Sequence, residues 1–215
     1  MTILALEFSS PLHSVAVWAG EAVRGRAVER GVRHVKPFAL IDAALQEAGV
    51  AREDIDCVAA GLGPGSHAGI RIAIAIAQGW QLAHGTKLVG LSSAECAAQQ
   101  FAQRSAETPF TMVVDAQRSE FFAARYATVG QGARAMEAFR LMTDTDWGRQ
   151  RSGERFIRPD VLEDGPAWLA LPPDAATLAR LAAQATEFVP GHALEPVYLR
   201  QAEFVKAPPP KFPAS

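Results

Sequence analysis

A chain of 215 residues, 49% hydrophobic and 20% charged, has ample material for a packed core and is not a disordered chain. Its net charge of −2 lacks the positive excess of a dedicated nucleic-acid-binding domain, and no run of about eighteen uncharged apolar residues supplies a membrane span. Cys57 and Cys96 lie far apart and read as buried free thiols; with Met1-Thr2-Ile3 opening directly into a strand, a soluble cytoplasmic protein is expected.

Residues 2–6 and 14–18 read as strands joined by the turn Ser9-Ser10-Pro11-Leu12, and Ala19-Gly20-Glu21 turns into a third strand, 22–29. Arg24, Arg26 and Arg30 alternate along that strand and face one way, which protects an edge from aggregation. A helix over 37–48 follows, with Pro37 in its first turn, Gly49 as its stop, and Phe38, Ile41, Ala44, Leu45 and Ala48 on one face. Strand 55–62 then runs into Gly63-Pro64-Gly65-Ser66, a turn in which successive amides can point one way and Ser66 can cap the next helix.

The segment after that turn carries two periods at once. Ile70, Ile72, Ile74 and Ile76 alternate like a strand, but Ala73, Ala75 and Ala77 and the overall length favour a helix over 69–83. At helical spacing Ile70 and Ile74 fall on one side, Ile72 and Ile76 on the other. A helix apolar on both sides is central in its domain or waits for another chain. Strand 87–90, a helix over 92–104 capped by Ser92, and strands 110–114, 120–127 and 136–142 come next. Strand-turn-strand-strand thus occurs twice, which points to a duplicated unit of about a hundred residues. Residues 143–173 read as irregular, 175–186 as an alanine-rich helix, and 201–215 as a Pro-rich tail. The expected organisation is a first lobe over 1–104, a second, degenerate lobe over 105–200, and the tail.

A strand feeding a helix through a glycine turn is an anion-receiving geometry. Two phosphate motifs fail here all the same. Gly69 is followed by Ile70-Arg71, so the lysine of a P-loop is absent, and Leu91-Ser92-Ser93 after the next strand lacks the carboxylate a dinucleotide fingerprint requires. The five histidines, His13, His34, His67, His84 and His192, include no pair at the helical spacing that holds a metal. Ser9-Ser10 and Ser92-Ser93 lack a Gly-x-Ser-x-Gly elbow and read as turn and cap residues. Asp115, Arg118 and Glu120 sit where one strand ends and the next begins. They fit a carboxylate capping the turn and an arginine fork holding two strands in register, or an anchor for a ligand in an interlobe cleft.

Two ββ(β)αβα halves, the first opened by a hairpin, look like the actin, sugar-kinase and Hsp70 architecture, an α/β fold of two lobes. Gly63-Pro64-Gly65-Ser66 with Gly69-Ile70-Arg71-Ile72, then Val114-Asp115-Ala116-Gln117-Arg118-Ser119-Glu120, then Glu195-Pro196-Val197-Tyr198-Leu199-Arg200 resemble the bacterial TsaB (YeaZ) family in position and order. The opening Ile3-Leu4-Ala5-Leu6 strand and His34 agree as well. The resemblance runs from residue 1 to about 200 and is poor over 143–173, where a glycine-rich turn usual for the family is not recognisable. It implies a noncatalytic scaffold and activator for N6-threonylcarbamoylation of adenosine 37 in tRNAs that read codons starting with A. Such proteins pair with a TsaD catalytic subunit, are joined by a TsaE ATPase, form homodimers when alone, and meet tRNA through the complex.

The resemblance also implies a paired-helix partner face, for which Phe38, Ile41, Leu45, Ile70, Ile74 and Gln78 are the expected contributors. It implies no cofactor and leaves Gly63, Gly65, Ser66 and Gly69 as a vestigial loop. Glu7-Phe8-Ser9 stands where family members have Asp-Thr-Ser/Ala, and His67-Ala68 replaces an aromatic-Thr pair. Phe8 and Ala68 are expected to present carbon to the cleft and so to weaken nucleotide binding. The rival readings are an ATP-dependent kinase or metal-dependent peptidase of the same fold, and an RNA-binding module using Arg24, Arg26, Arg30, Arg33 and Lys36.

Overall fold

The computed structural model describes residues 1–31, 36–117, 120–143 and 154–199. Arg33, His34, Arg118, Arg200, the 144–153 part of the irregular region and the tail 201–215 lie outside them.

The first sheet is built around β1 (Ile3–Glu7), whose apolar run from Ile3 to Leu6 suits a strand covered on both faces. β2 (Leu12–Ala19) and β3 (Ala22–Arg30) add to one side antiparallel, and β4 (Cys57–Gly61) and β5 (Lys87–Leu91) add to the other in parallel, giving the order β3-β2-β1-β4-β5. Gly20 and Glu21 both take positive φ in the two-residue β2–β3 turn, matching the twist of a tight hairpin. Alternation along β1 sorts its side chains into two cores. Leu4 and Leu6 pack with α1 (Pro37–Ala48) and α2 (His67–His84); Ile3 and Ala5 pack with α4 (Ala175–Ala182).

The expected bounds of α1 are those observed. Pro37 opens it, and Gly49 closes it in the left-handed conformation while its N–H and that of Val50 return to the Gln46 and Leu45 carbonyls. Gly25 on β3 admits this helix: a Cβ there would stand 2.0 Å from the Ala44 carbonyl oxygen. The doubled periodicity of 69–83 resolves as a helix, two residues longer at its start and one at its end than the pattern indicates.

The second sheet repeats the first. Its core is β6 (Phe110–Gln117), with β7 (Glu120–Val129) and β8 (Gly132–Ala135) antiparallel on one side and β10 (Arg155–Arg158) and β11 (Leu169–Ala170) parallel on the other, in the order β11-β10-β6-β7-β8. Of the strand expected over 136–142 only the last part forms, as β9 (Arg140–Thr143), and an unexpected strand, β8, precedes it; the two pair with opposite ends of β7. The break falls where the N–H groups of both Met136 and Glu137 point at the Arg125 carbonyl, which stops the chain from continuing one ladder. The region read as irregular supplies β10 and β11, too short to announce themselves.

The helices after each sheet are exchanged. α3 (Ser93–Ala102), capped by Ser92 as expected, follows the first sheet but buries Ala97, Ala98 and Phe101 against Phe110, Met112 and Tyr126 of the second. α4 follows the second sheet and ends four residues before the expected 186. It packs Ala175, Leu178, Ala179 and Ala182 on the first. The chain after α4 stays with the first sheet, where Val189 N–H donates to Leu88 O and Val197 N–H to Leu62 O. Residues 174–197, expected in the second lobe, therefore pack on the first: a patterned helix states which face is apolar, not which sheet receives it.

Candidate functional site

The glycine turn between β4 and α2 is pressed against the β1–β2 hairpin. Ser66 N–H donates to Ser9 O, and Cβ atoms on Gly65 and Gly69 would stand 2.1 Å from Ser9 O and 1.9 Å from Phe8 O. Those two glycines exist for backbone contact. The turn also spends its amides internally. Gly63 N–H goes to Ser93 Oγ, Gly69 N–H to Ser66 Oγ, and Ile70 N–H to Ser66 O. An incoming phosphate must compete with those bonds.

Glu7 lies beneath this turn, fully buried. Its Oε1 accepts from Ser9 N–H at 2.8 Å and its Oε2 from Ser93 Oγ–H at 2.8 Å, so one carboxylate ties the end of β1 to the start of α3. Gly61 leaves the room; a Cβ there would sit 2.1 Å from Glu7 Oε2. Burial pushes the Glu7 carboxyl above its usual range, opposed by the bonds from Ser9 and Ser93. An acid that ionises less readily when folded costs stability as pH rises from its unfolded value towards its folded one. Glu7→Gln, which cannot ionise, should therefore gain on the parent as pH rises above about 4.5. Urea unfolding from about pH 4 to about pH 8 tests this; a constant difference between the two would contradict it.

Between the lobes opens a cleft of about 590 Å³, lined by Ser9, His13, Ser66, His67, Asp115 and Tyr198 among others. Phe8 does not line it. It is fully buried in the α1/α2 core beside Ile70, so the expectation that it presents carbon to a phosphate is corrected: Leu4, Leu6 and Phe8 share one side of the chain, and that side is the core. Ala68 is exposed at the first turn of α2. Exposed His67 sits 3.3 Å from the Tyr198 hydroxyl, so the strap after α4 crosses the start of α2. The neighbouring wall holds Asp160, gripped by Arg158 through Nε–Oδ1 (3.0 Å) and Nη2–Oδ2 (2.7 Å) and accepting the Asp115 N–H at 3.0 Å. Asp115 lies within β6, paired with Phe121, rather than at the strand end, and Glu120 opens β7; Asp160 and Tyr198 come from segments whose fold the sequence did not disclose. Among the described residues no three His, Cys, Asp or Glu side chains converge as metal ligands.

The second candidate feature is the outer face of α2. Ser66 caps this helix and Gly69 seats against the hairpin, which sets its rotation. Ile70, Ala73, Ile74, Ala77 and Trp80 turn inward. Ala75, Gly79, Ala83 and His84 turn outward, Ile72 and Ile76 lie half-buried between that side and the core, and with Pro37, Phe38, Arg52 and Trp80 these residues line an apolar groove of about 560 Å³ between α1 and α2. Of the six residues expected at the partner face, Ile41, Leu45, Ile70 and Ile74 are core residues. Gln78 is half-buried and donates to Gly191 O. Phe38, 57% exposed, stands on the groove. The second apolar face exists, but it belongs to Ile72 and Ile76.

Residues 33–148, more than half of the chain, match the family model for TsaD, tRNA N6-adenosine threonylcarbamoyltransferase. Over 93% of this chain and 95% of its own length, the tRNA threonylcarbamoyladenosine biosynthesis protein TsaB of Escherichia coli (strain K12) is 29% identical. The chain belongs to the TsaB (YeaZ) family. The TsaB protein of Haemophilus influenzae is 27% identical over 57% of this chain and 52% of its own length. YeaZ from Pseudomonas aeruginosa has the same two-lobed fold, with a TM-score of 0.77 and 25% identity over 92% of this chain and 99% of that one. Another Pseudomonas aeruginosa structure with TM-score 0.77 is described as an uncharacterized protein with similarity to peptidase YEAZ. Both helices bordering the apolar groove, α1 and α2, fall inside the stretch that this TsaB-family chain shares with the TsaD model.

Proposed function

We propose that this chain acts in tRNA threonylcarbamoyladenosine biosynthesis as a noncatalytic partner that docks the α1/α2 groove on a TsaD-like catalytic subunit. The observation that carries this reading is the groove itself. Its walls are apolar, Phe38 is largely exposed on it, and both helices lie in the TsaD-like stretch. A TsaD-like subunit then presents counterpart helices of the same kind, and the two chains meet in a pseudo-symmetric four-helix layer. The same face serves a second copy of this chain when the catalytic subunit is absent. A TsaE-like ATPase and tRNA engage the assembled pair rather than this chain alone.

A noncatalytic role also agrees with the chemistry of the cleft. Glu7 is sequestered under the glycine turn, the Gly63, Ser66 and Gly69 amides of the turn bond within the chain, and among the described residues the far wall presents the carboxylates of Asp115 and Asp160. A transferring phosphoryl group needs donors and cations aimed at it. Localisation in the cytoplasm is part of the proposal, and no helix among the described residues is long and apolar enough to cross a membrane.

Co-expression with a TsaD-family subunit tests the reading. The two should co-purify, and the isolated chain should turn over no ATP above background. ATP turnover that a folded Glu7→Ala variant abolishes would instead establish the kinase alternative.

A further inference from the structure

Among the described residues the chain passes between the two sheets twice, and both passages are pinned. Movement of one lobe against the other needs backbone dihedrals at such crossings to change. The first crossing leaves β5 at Leu91 and enters α3. There Ser93 N–H and Ser92 Oγ–H both donate to Gly63 O, at 2.8 and 3.4 Å, and Ser93 Oγ–H donates to Glu7. Those acceptors belong to the first lobe, whereas α3 carries on to pack against the second. The second crossing is Leu171-Pro172-Pro173-Asp174. Leu171 N–H is held by Arg158 O of β10 and Ala175 N–H by Ser14 Oγ of β2. Between those two anchors stand Pro172, Pro173 and Asp174, and the proline rings fix φ at two of the three.

Gln100, on α3, reaches across from the first crossing to the second. Its Nε2 donates to Pro172 O and to Asp174 Oδ2, each at 3.2 Å, and its Oε1 accepts the Asp174 N–H at 3.1 Å. One turn earlier Cys96 sets its Sγ 3.5 Å from Asp174 O, and Asp174 Oδ1 in turn caps α4 by accepting the Thr177 N–H. Both amide hydrogens of Gln100 and its carbonyl oxygen are thus in use, at a side chain only 3% exposed. Rotating the lobes breaks these bonds where water cannot take their place, which is costly. We propose that Gln100 bolts the two crossings together and so holds the interlobe cleft at a single width. Contacts between lobes ordinarily permit motion, and two-lobed enzymes use it to close on their substrates. Here the walls of the cleft of about 590 Å³ stay apart, and whatever grips the first lobe also sets where the second one stands. The inference goes beyond the partner reading and does not depend on it.

Pulsed dipolar electron paramagnetic resonance between nitroxide labels on Val23→Cys and Arg134→Cys tests the proposal. Both positions are exposed and lie on different sheets, and the native Cys57 and Cys96 are buried. Dilution of the labelled protein into unlabelled chain keeps the measured distances within one molecule. The parent should give one narrow distance distribution. Gln100→Met, which keeps the volume and loses all three bonds, should still fold and should broaden that distribution at least about twofold. A parent with two separations, or a folded Gln100→Met with the parent's width, would each overturn the bolt. If Gln100→Met does not fold, Ser14→Ala, which releases the Ala175 N–H at the far end of the crossing, must broaden the distribution instead; the parent's width in that variant would overturn it equally. The labels read the chain alone, so a failure here leaves the docking face standing, and a failure to bind the catalytic subunit leaves the bolt.

Discussion

Ile74→Glu should leave little or no folded protein. Ile74 is 7% exposed and packs with Ile70, Ala73 and Trp80 over the β1 and β4 residues Leu4, Leu6 and Val58. A carboxylate there has no basic partner among the residues of that cluster, and an uncompensated buried charge costs about 3–5 kcal/mol beyond the lost packing. Against a typical domain stability of about 5–15 kcal/mol, that consumes much or all of the margin. Urea unfolding is the measurement. A soluble Ile74→Glu protein with the parent's midpoint would mean that Ile74 faces outward and that the rotation of α2 is wrong.

Two residues along the same helix the outcome reverses. Ile76→Glu should still fold, at a cost of about 1–2 kcal/mol, because Ile76 is half-buried with one side packed on the core while the new carboxylate reaches water from the groove. It should lose the TsaD-like partner by at least about 2 kcal/mol, some thirtyfold in Kd, since a charge at the centre of an apolar seam is desolvated when the seam closes. Phe38→Glu should behave alike from the α1 side. Titration calorimetry with the catalytic subunit measures it; parent-like affinity in both variants would remove the groove from the interface.

The contrast between residues 74 and 76 marks how far the sequence could be read. Both isoleucine pairs carry the same amphipathic signal, so periodicity showed that α2 has two apolar faces without saying which one meets the sheet. Tertiary contact made the choice, through Gly69 against the Phe8 carbonyl and Ser66 against the Ser9 carbonyl. A usable signal was present nonetheless: Gly69, Ala73 and Ala77 form a row of small residues on the side that presses on the sheet. Phe8 was legible too. It continues the alternation of Leu4 and Leu6 into the core, while Glu7 continues that of Ile3 and Ala5 towards α3 and α4. Local punctuation fixed other elements well, as with Pro37 and Gly49 around α1 and Ser92 before α3. The exchange of α3 and α4 between sheets, and the arrival of Asp160 and Tyr198 at the cleft, depend on contacts between distant segments and leave no local pattern.

The most direct test of the account is the threonylcarbamoyladenosine content of tRNA in a reaction reconstituted from the TsaD-like subunit, the TsaE-like ATPase, the activated threonylcarbamoyl donor and this chain. Modification should require this chain and should fail with folded Ile76→Glu. Equal modification when the chain is omitted, or when Ile76→Glu replaces it, would contradict a role exercised through the α1/α2 face.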